Sequence, residues 1–165
     1  MQKYLDMLKI CPLFQGVERD DLDKILADLK IRILAAEKNQ FVLTEGEPAD
    51  RMGIVLTGCV QVIREDYYGN RSLLAAVKPG ELFAEAFACA GIDKIPVSVI
   101  AAEESSIMLI EYRRMLNLYG NAGAAQSRIA ANLLRVVANK NLMLNRKIEF
   151  MSRRSTREKL MAFLL

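Results

Sequence analysis

The chain has 165 residues, 52% hydrophobic and 26% charged, with a formal net charge of +3 at neutral pH. That is the composition of a globular protein with room for one domain and an appendage. Histidine is absent, which excludes Ser-His-Asp and Cys-His nucleophile systems, haem on a proximal histidine and a histidine-built metal centre in a β-roll.

No apolar run approaches ~18 residues, so no transmembrane helix and no membrane partner are expected. The first nine residues carry Asp6 and Lys9 inside an apolar pattern, as in an amphipathic helix rather than a signal peptide. The cytoplasm is therefore the expected compartment. Cys11, Cys59 and Cys89 are widely spaced, odd in number and without a C-x-x-C pair. They are expected as free, mostly buried thiols.

After the loop Cys11-Pro-Leu-Phe-Gln-Gly, residues Asp20 to Leu29 read as a short helix with Leu22, Ile25, Leu26 and Leu29 on one face. Gly46, Gly58, Gly69, Gly80 and Gly91 then fall 12, 11, 11 and 11 residues apart. Turn residues at that spacing, with β-branched runs between them, predict an all-β sandwich or roll. The expected strands are Ile31–Ala35, Gln40–Thr44, Met52–Thr57, Cys59–Arg64, Arg71–Val77, Val97–Ala101 and Ser106–Glu111. Tyr68-Gly69-Asn70 reads as a hairpin turn. Seven or eight short strands with one polar face suggest a double-sheet jelly roll.

A short helix from Tyr112 to Tyr119 is followed by a long one, from about Asn121 to about Met151. In it Ala130, Leu134, Val137, Asn141, Leu144, Ile148 and Met151 recur at alternating steps of four and three. That is the seam of a paired helix, with Asn141 as a polar residue able to fix register. A second stripe, Ile129, Leu133, Val136 and Met143, lies beside it. Two stripes need two partners: a second copy of the helix for one and the roll for the other.

Between Arg146 and Lys159 stand six basic and two acidic residues. Such a cluster fits nucleic-acid proximity or the dipole at a helix C-terminus. Ser155-Thr-Arg-Glu158 is a capping-box sequence. It opens a further helix, Thr156 to Leu165, whose apolar residues have no evident partner, so the chain is expected to stop inside a second domain.

These residues together resemble the CRP/FNR family of bacterial transcription regulators. The similarity lies in Cys11-Pro-Leu-Phe-Gln-Gly-Val and the acidic helix after it. It continues in Phe41-Val-Leu-Thr-Glu-Gly-Glu-Pro-Ala-Asp, Met52-Gly-Ile-Val-Leu-Thr-Gly-Cys-Val and Pro79-Gly-Glu-Leu-Phe-Ala-Glu85. It runs from about Leu8 to the C-terminus. The resemblance implies a mainly β protein with α: a double-stranded β-helix (jelly roll) with flanking N-terminal helices and a long C-terminal dimerisation helix. The implied divisions are an effector roll at 1–120, a dimerisation helix at 121–152 and the start of a truncated helix-turn-helix domain at 153–165. DNA contact is implied only for the intact regulator, through a domain beyond Leu165.

The resemblance also implies a ligand cassette at Gly80, Glu81, Phe83, Ala84 and Glu85. In relatives that bind cyclic nucleotides, the acid at the Glu85 position takes a ribose hydroxyl, and an Arg-Ser pair holds the phosphate. Here Ile95-Pro96 or Pro96-Val97 occupies the Arg-Ser positions, Ala84 replaces a glycine, and no arginine lies between Arg71 and Arg113. Arginine offers a charged, bidentate fork that these residues lack. Losing one charge-assisted bond costs about 1.5–3 kcal/mol. Binding of cAMP or cGMP in the usual mode is therefore not expected. Lys94 is a candidate substitute cation. Glu85 faces a ligand or caps backbone N–H groups. Pro96, Val97, Ser98 and Val99, with Asn141 and Leu142 from the long helix, complete an apolar effector pocket.

The reading that results is the effector-sensing and dimerisation part of a transcription regulator. It works as a homodimer, with an unidentified small-molecule effector, no cofactor, no metal and no enzymatic activity. The alternative is a cyclic-nucleotide-binding regulatory module without a DNA-binding domain, as in a kinase or channel.

Overall fold

The computed structural model describes residues 4–120 and 123–152. Two short helical pieces, α1 (Leu5–Ile10) and a 3-10 turn at Pro12–Phe14, lead into α2 (Arg19–Asp28). Eight strands follow: β1 (Arg32–Ala36), β2 (Phe41–Leu43), β3 (Arg51–Thr57), β4 (Val60–Glu65), β5 (Arg71–Val77), β6 (Leu82–Phe83), β7 (Ser98–Ala101) and β8 (Ser105–Glu111). Helix α3 (Glu85–Ala90) lies between β6 and β7. Helices α4 (Tyr112–Gly120) and α5 (Ala124–Ser152) follow the strands.

The strands form two antiparallel sheets of four, ordered β1-β8-β3-β6 and β2-β7-β4-β5. The expected jelly roll is therefore present. The seven expected strands match seven of the eight within a few residues. Two-residue β6 was not foreseen, because so short a strand carries no periodicity.

Alternation along β3 and β8 explains how the first sheet is buried on both faces. Val55, Ile107 and Leu109 point between the sheets, into a core shared with Val42, Val60, Val77, Phe83 and Val99. Met52, Ile54, Leu56, Met108 and Ile110 point the other way, against Leu22, Ile25 and Leu26 of α2 and Ile129, Leu133 and Val136 of α5. The molecule is thus three layers: an outer sheet, a middle sheet and a helical cover.

All five regularly spaced glycines adopt positive φ, from 65° to 90°. At Gly58 the requirement is doubled, since a Cβ there would meet the Glu104 carbonyl and the Ser105 backbone. The hairpin between β4 and β5 is organised by Asp66, whose carboxylate accepts the N–H groups of Tyr68 and Asn70 at 2.9 Å each.

Helix α5 has 29 residues and so measures about 44 Å. Of its expected inner stripe, Ile129, Leu133 and Val136 are buried, while Met143 is 67% exposed. Polar groups pin the same face. Asn132 Nδ2 donates to the carbonyls of Leu13 and Gln15 at 3.1 and 2.9 Å, and Arg128 Nη1 donates to Gly16 at 2.6 Å. From Asn141 to Met151 every residue is exposed. The capping box at Ser155 and the helix expected after it lie outside the described residues.

Candidate functional site

Backbone bonds fix the segment from Lys78 to Glu85. Gly80, at φ +87°, turns the chain so that its N–H donates to Val55 at 2.8 Å, while the Val55 N–H donates to Glu81 at 3.1 Å. The exposed Glu81 carboxylate closes this turn by accepting the Lys78 N–H at 2.8 Å. Leu82 and Phe83 then pair with Ile54 and Gly53. Phe83 is 1% exposed, and its ring lies where a Cβ on Gly53 would stand. A glycine in β3 is what admits the ring.

Ala84 takes a left-handed conformation, φ +60°, and starts α3. Glu85, the first residue of that helix, is 2% exposed. Its Oε1 lies 2.7 Å from Nζ of Lys140 on α5. The same ammonium donates to the Leu82 carbonyl at 2.6 Å. Glu85 Oε2 is buried without a hydrogen-bond partner among the described residues. An uncompensated carboxylate oxygen in such a place is costly. Among the buried side chains described, it marks a point in the cassette with an unmet demand for a donor.

The facing segment is apolar. Gly46 donates to Ile95 and Ile95 to Glu47, both at 2.9 Å, which holds residues 93–96 against the loop after β2. Ile95, Val97 and Val99 are buried, and Pro96 is half-buried. The Ser98 hydroxyl accepts the Glu45 N–H at 2.9 Å. Lys94 is exposed and makes no ion pair among the described residues.

Of the residues expected to bind an effector, Phe83, Ala84 and Val99 come together in the core between the sheets, with Glu85 beside them. Gly80 and Glu81 form the turn. Asn141 and Leu142 lie on the exposed part of α5, Leu142 at 55%. The residue missed from sequence is Lys140. Its signal was legible: Ile129, Leu133, Val136, Lys140 and Met143 continue one stripe at steps of four and three. A cation in an apolar stripe implies a buried counter-charge.

Burial raises the Cys89 thiol above its ordinary range; the Glu85 charge adds to this, and the Tyr112 hydroxyl works against it. Two clefts lie at opposite ends of the β1-β8-β3 sheet. One, of about 290 Å³, is lined by Lys30, Arg32, Asp50, Arg51, Leu109 and Glu111. The other, of about 430 Å³, includes Glu37, Gln40, Thr57, Glu104 and Ser105. Neither borders Glu85. No helix among the described residues is long and apolar enough to cross a membrane.

Comparison with known proteins places these features in context. The family model described as "Cyclic nucleotide-binding domain" matches residues 33–121. A potassium channel of rice, KOR2, is 24% identical over 132 residues, 80% of this chain and 18% of the channel. The CRP-like cAMP-activated global transcriptional regulator of Mycobacterium tuberculosis is 30% identical over 80 residues, 48% of this chain and 35% of the regulator. The chain thus spans about a third or less of these relatives. The sensor domain of the transcriptional regulator DNR from Pseudomonas aeruginosa superposes with a TM-score of 0.70. That match is 19% identical and covers 93% of this chain and 97% of that one.

Proposed function

The chain belongs to the cyclic nucleotide-binding domain family, and from that premise we propose that it is the effector-sensing and dimerisation part of a CRP/FNR-type transcription regulator that does not respond to cAMP. The observation that carries this reading is α5. One continuous helix touches the cassette through Lys140 and then presents an apolar seam in which Leu144, Ile148 and Met151 are 58%, 64% and 65% exposed. An exposed apolar stripe of that length is a partner surface. In a homodimer the paired helices would transmit a change at the cassette to the DNA-reading domains of an intact regulator.

The effector class follows from the cassette. The segment facing it offers Ile95, Pro96 and Val97 where a phosphate would need a fork of donors. What the site asks for is one hydrogen-bond donor for Glu85 Oε2, since Phe83 and Val99 are already packed in the core between the sheets. A weakly charged molecule with a hydroxyl or amide N–H fits that demand.

Calorimetric titration with cAMP and cGMP tests this reading. No heat and no thermal shift are expected. Micromolar binding of either would overturn the effector class. The second reading, a regulatory module without a DNA-binding domain, is favoured by one observation: the similarity to the KOR2 channel extends over 80% of this chain. The reading of the whole gene from which the chain derives separates the two.

A further inference from the structure

The contacts of α5 change character at one residue. Before Lys140 its inner face is fixed, by Ile129, Leu133 and Val136 in the core and by Arg128 and Asn132 on the 3-10 turn. After Lys140 every described residue through Met151 is exposed. Lys140 is therefore the last residue of α5 before this exposed stretch that is partly covered by the roll. It grips the cassette at two points, the Glu85 carboxylate at 2.7 Å and the Leu82 carbonyl at 2.6 Å. Leu82 belongs to β6 and Glu85 to α3, so one ammonium spans the turn at Ala84, the left-handed and least favourable residue of the cassette. Helix α3 is six residues long and no side chain caps its N-terminus; Ala88 and Cys89 seat its far side in the helical core, so Lys140 is what holds its first residue.

We propose that Lys140 is an internal clamp. Through it the β6–α3 cassette and the first half of α5 form one rigid body using only atoms of this chain, with no small molecule required between them. The term cassette rests on the functional reading above; the clamp itself does not. Lys140 is in this view a positioning residue. It sets where the cassette stands relative to the helix, and any signal passing between the two must first deal with this ion pair. An effector that engages Glu85 has Lys140 as its competitor.

Hydrogen exchange read by mass spectrometry tests the clamp. The double variant Glu85→Gln/Lys140→Met removes the buried charge together with its partner, so it folds even if Lys140→Met alone does not. In it the amides of Leu82–Ala90 should exchange at least tenfold faster, while those of α2 stay within threefold of the unsubstituted chain. Lys140→Arg should restore slow exchange in the cassette. Unchanged cassette exchange in the double variant would overturn the clamp. So would equal acceleration in α2, which would show general loosening. Light scattering on the same samples reports the dimer separately: a monomeric chain whose cassette is released only in the double variant would sink the dimer reading and uphold the clamp.

Discussion

Glu85 and Lys140 meet across two elements that are 55 positions apart in sequence, and the meeting is asymmetric: the carboxylate side chain is 3% exposed and the lysine 42%. The cost of breaking the pair therefore depends on which partner is removed. Removing the lysine strands a buried charge. Removing both leaves a small neutral site. Loss of one partner from a fully buried pair costs about 3–5 kcal/mol, and the partial exposure of Lys140 reduces this to about 2 kcal/mol. Lys140→Met should lower stability by that amount in urea unfolding, and adding Glu85→Gln should recover more than half of it. Additive losses in the double variant would show that the two side chains do not interact.

Ala84 holds a conformation suited to glycine. At φ +60° an alanine pays roughly 1–2 kcal/mol, while glycine loses about 0.5–1 kcal/mol of unfolded-chain entropy. Ala84→Gly should thus raise stability by up to about 1 kcal/mol, seen as a higher urea midpoint at unchanged slope. A lower midpoint would mean that the methyl group packs better than its 9% exposure indicates.

Much of the fold was legible because its signals are local. Five glycines at turn spacing all took positive φ, and the β-branched runs between them became strands. The pattern on α2 was also local, and Leu22, Ile25 and Leu26 are buried as their spacing predicts. The site was less legible because its decisive contacts are distant. Nothing near Glu85 in sequence announces Lys140, and Lys94, the neighbouring cation, is exposed. The reach of Asn132 to the 3-10 turn spans 119 and 117 positions, and only the packing of α5 against the N-terminal segment reveals it. Met143 was expected on the inner stripe. It is 67% exposed, in the stretch after Lys140 where every described residue through Met151 is exposed.

Cys11 gives the protein a pH dependence whose sign can be worked out. Burial lifts its thiol from the ordinary 9.0 to about 11, with the N–H groups of Leu13 and Phe14 pulling the other way. Below pH 9 the thiol is protonated in both folded and unfolded chains. Between pH 9 and 11 the unfolded chain releases this proton and the folded chain keeps it, so stability falls as pH rises. Two units correspond to about 2–3 kcal/mol. Urea midpoints at pH 8 and pH 10.5 should therefore differ less in Cys11→Ala than in the unsubstituted chain. Equal differences would show that Cys11 is not the source.

The dimer can be tested without disturbing the roll, because the far half of its proposed seam, from Asn141 on, is exposed in the single chain. Ala130 and Val137 are half-buried, and Val137 packs against the helical core. Glutamate at Val137 would therefore confuse dissociation with unfolding. Leu144 and Ile148, 58% and 64% exposed, lie beyond Lys140 and belong to neither hydrophobic core. Two carboxylates there would face their symmetry mates across a parallel helix pair and repel. Leu144→Glu/Ile148→Glu should lower the mass in light scattering from twice 18.5 kDa to 18.5 kDa, with the thermal midpoint of the roll measured at dilution unchanged. A variant that stays at twice that mass would move the interface elsewhere. Edge strand β5 would then be the surface to probe, since its Leu73 and Leu74 are 57% and 43% exposed and its outer edge pairs with no strand among the described residues, a state that invites strand addition.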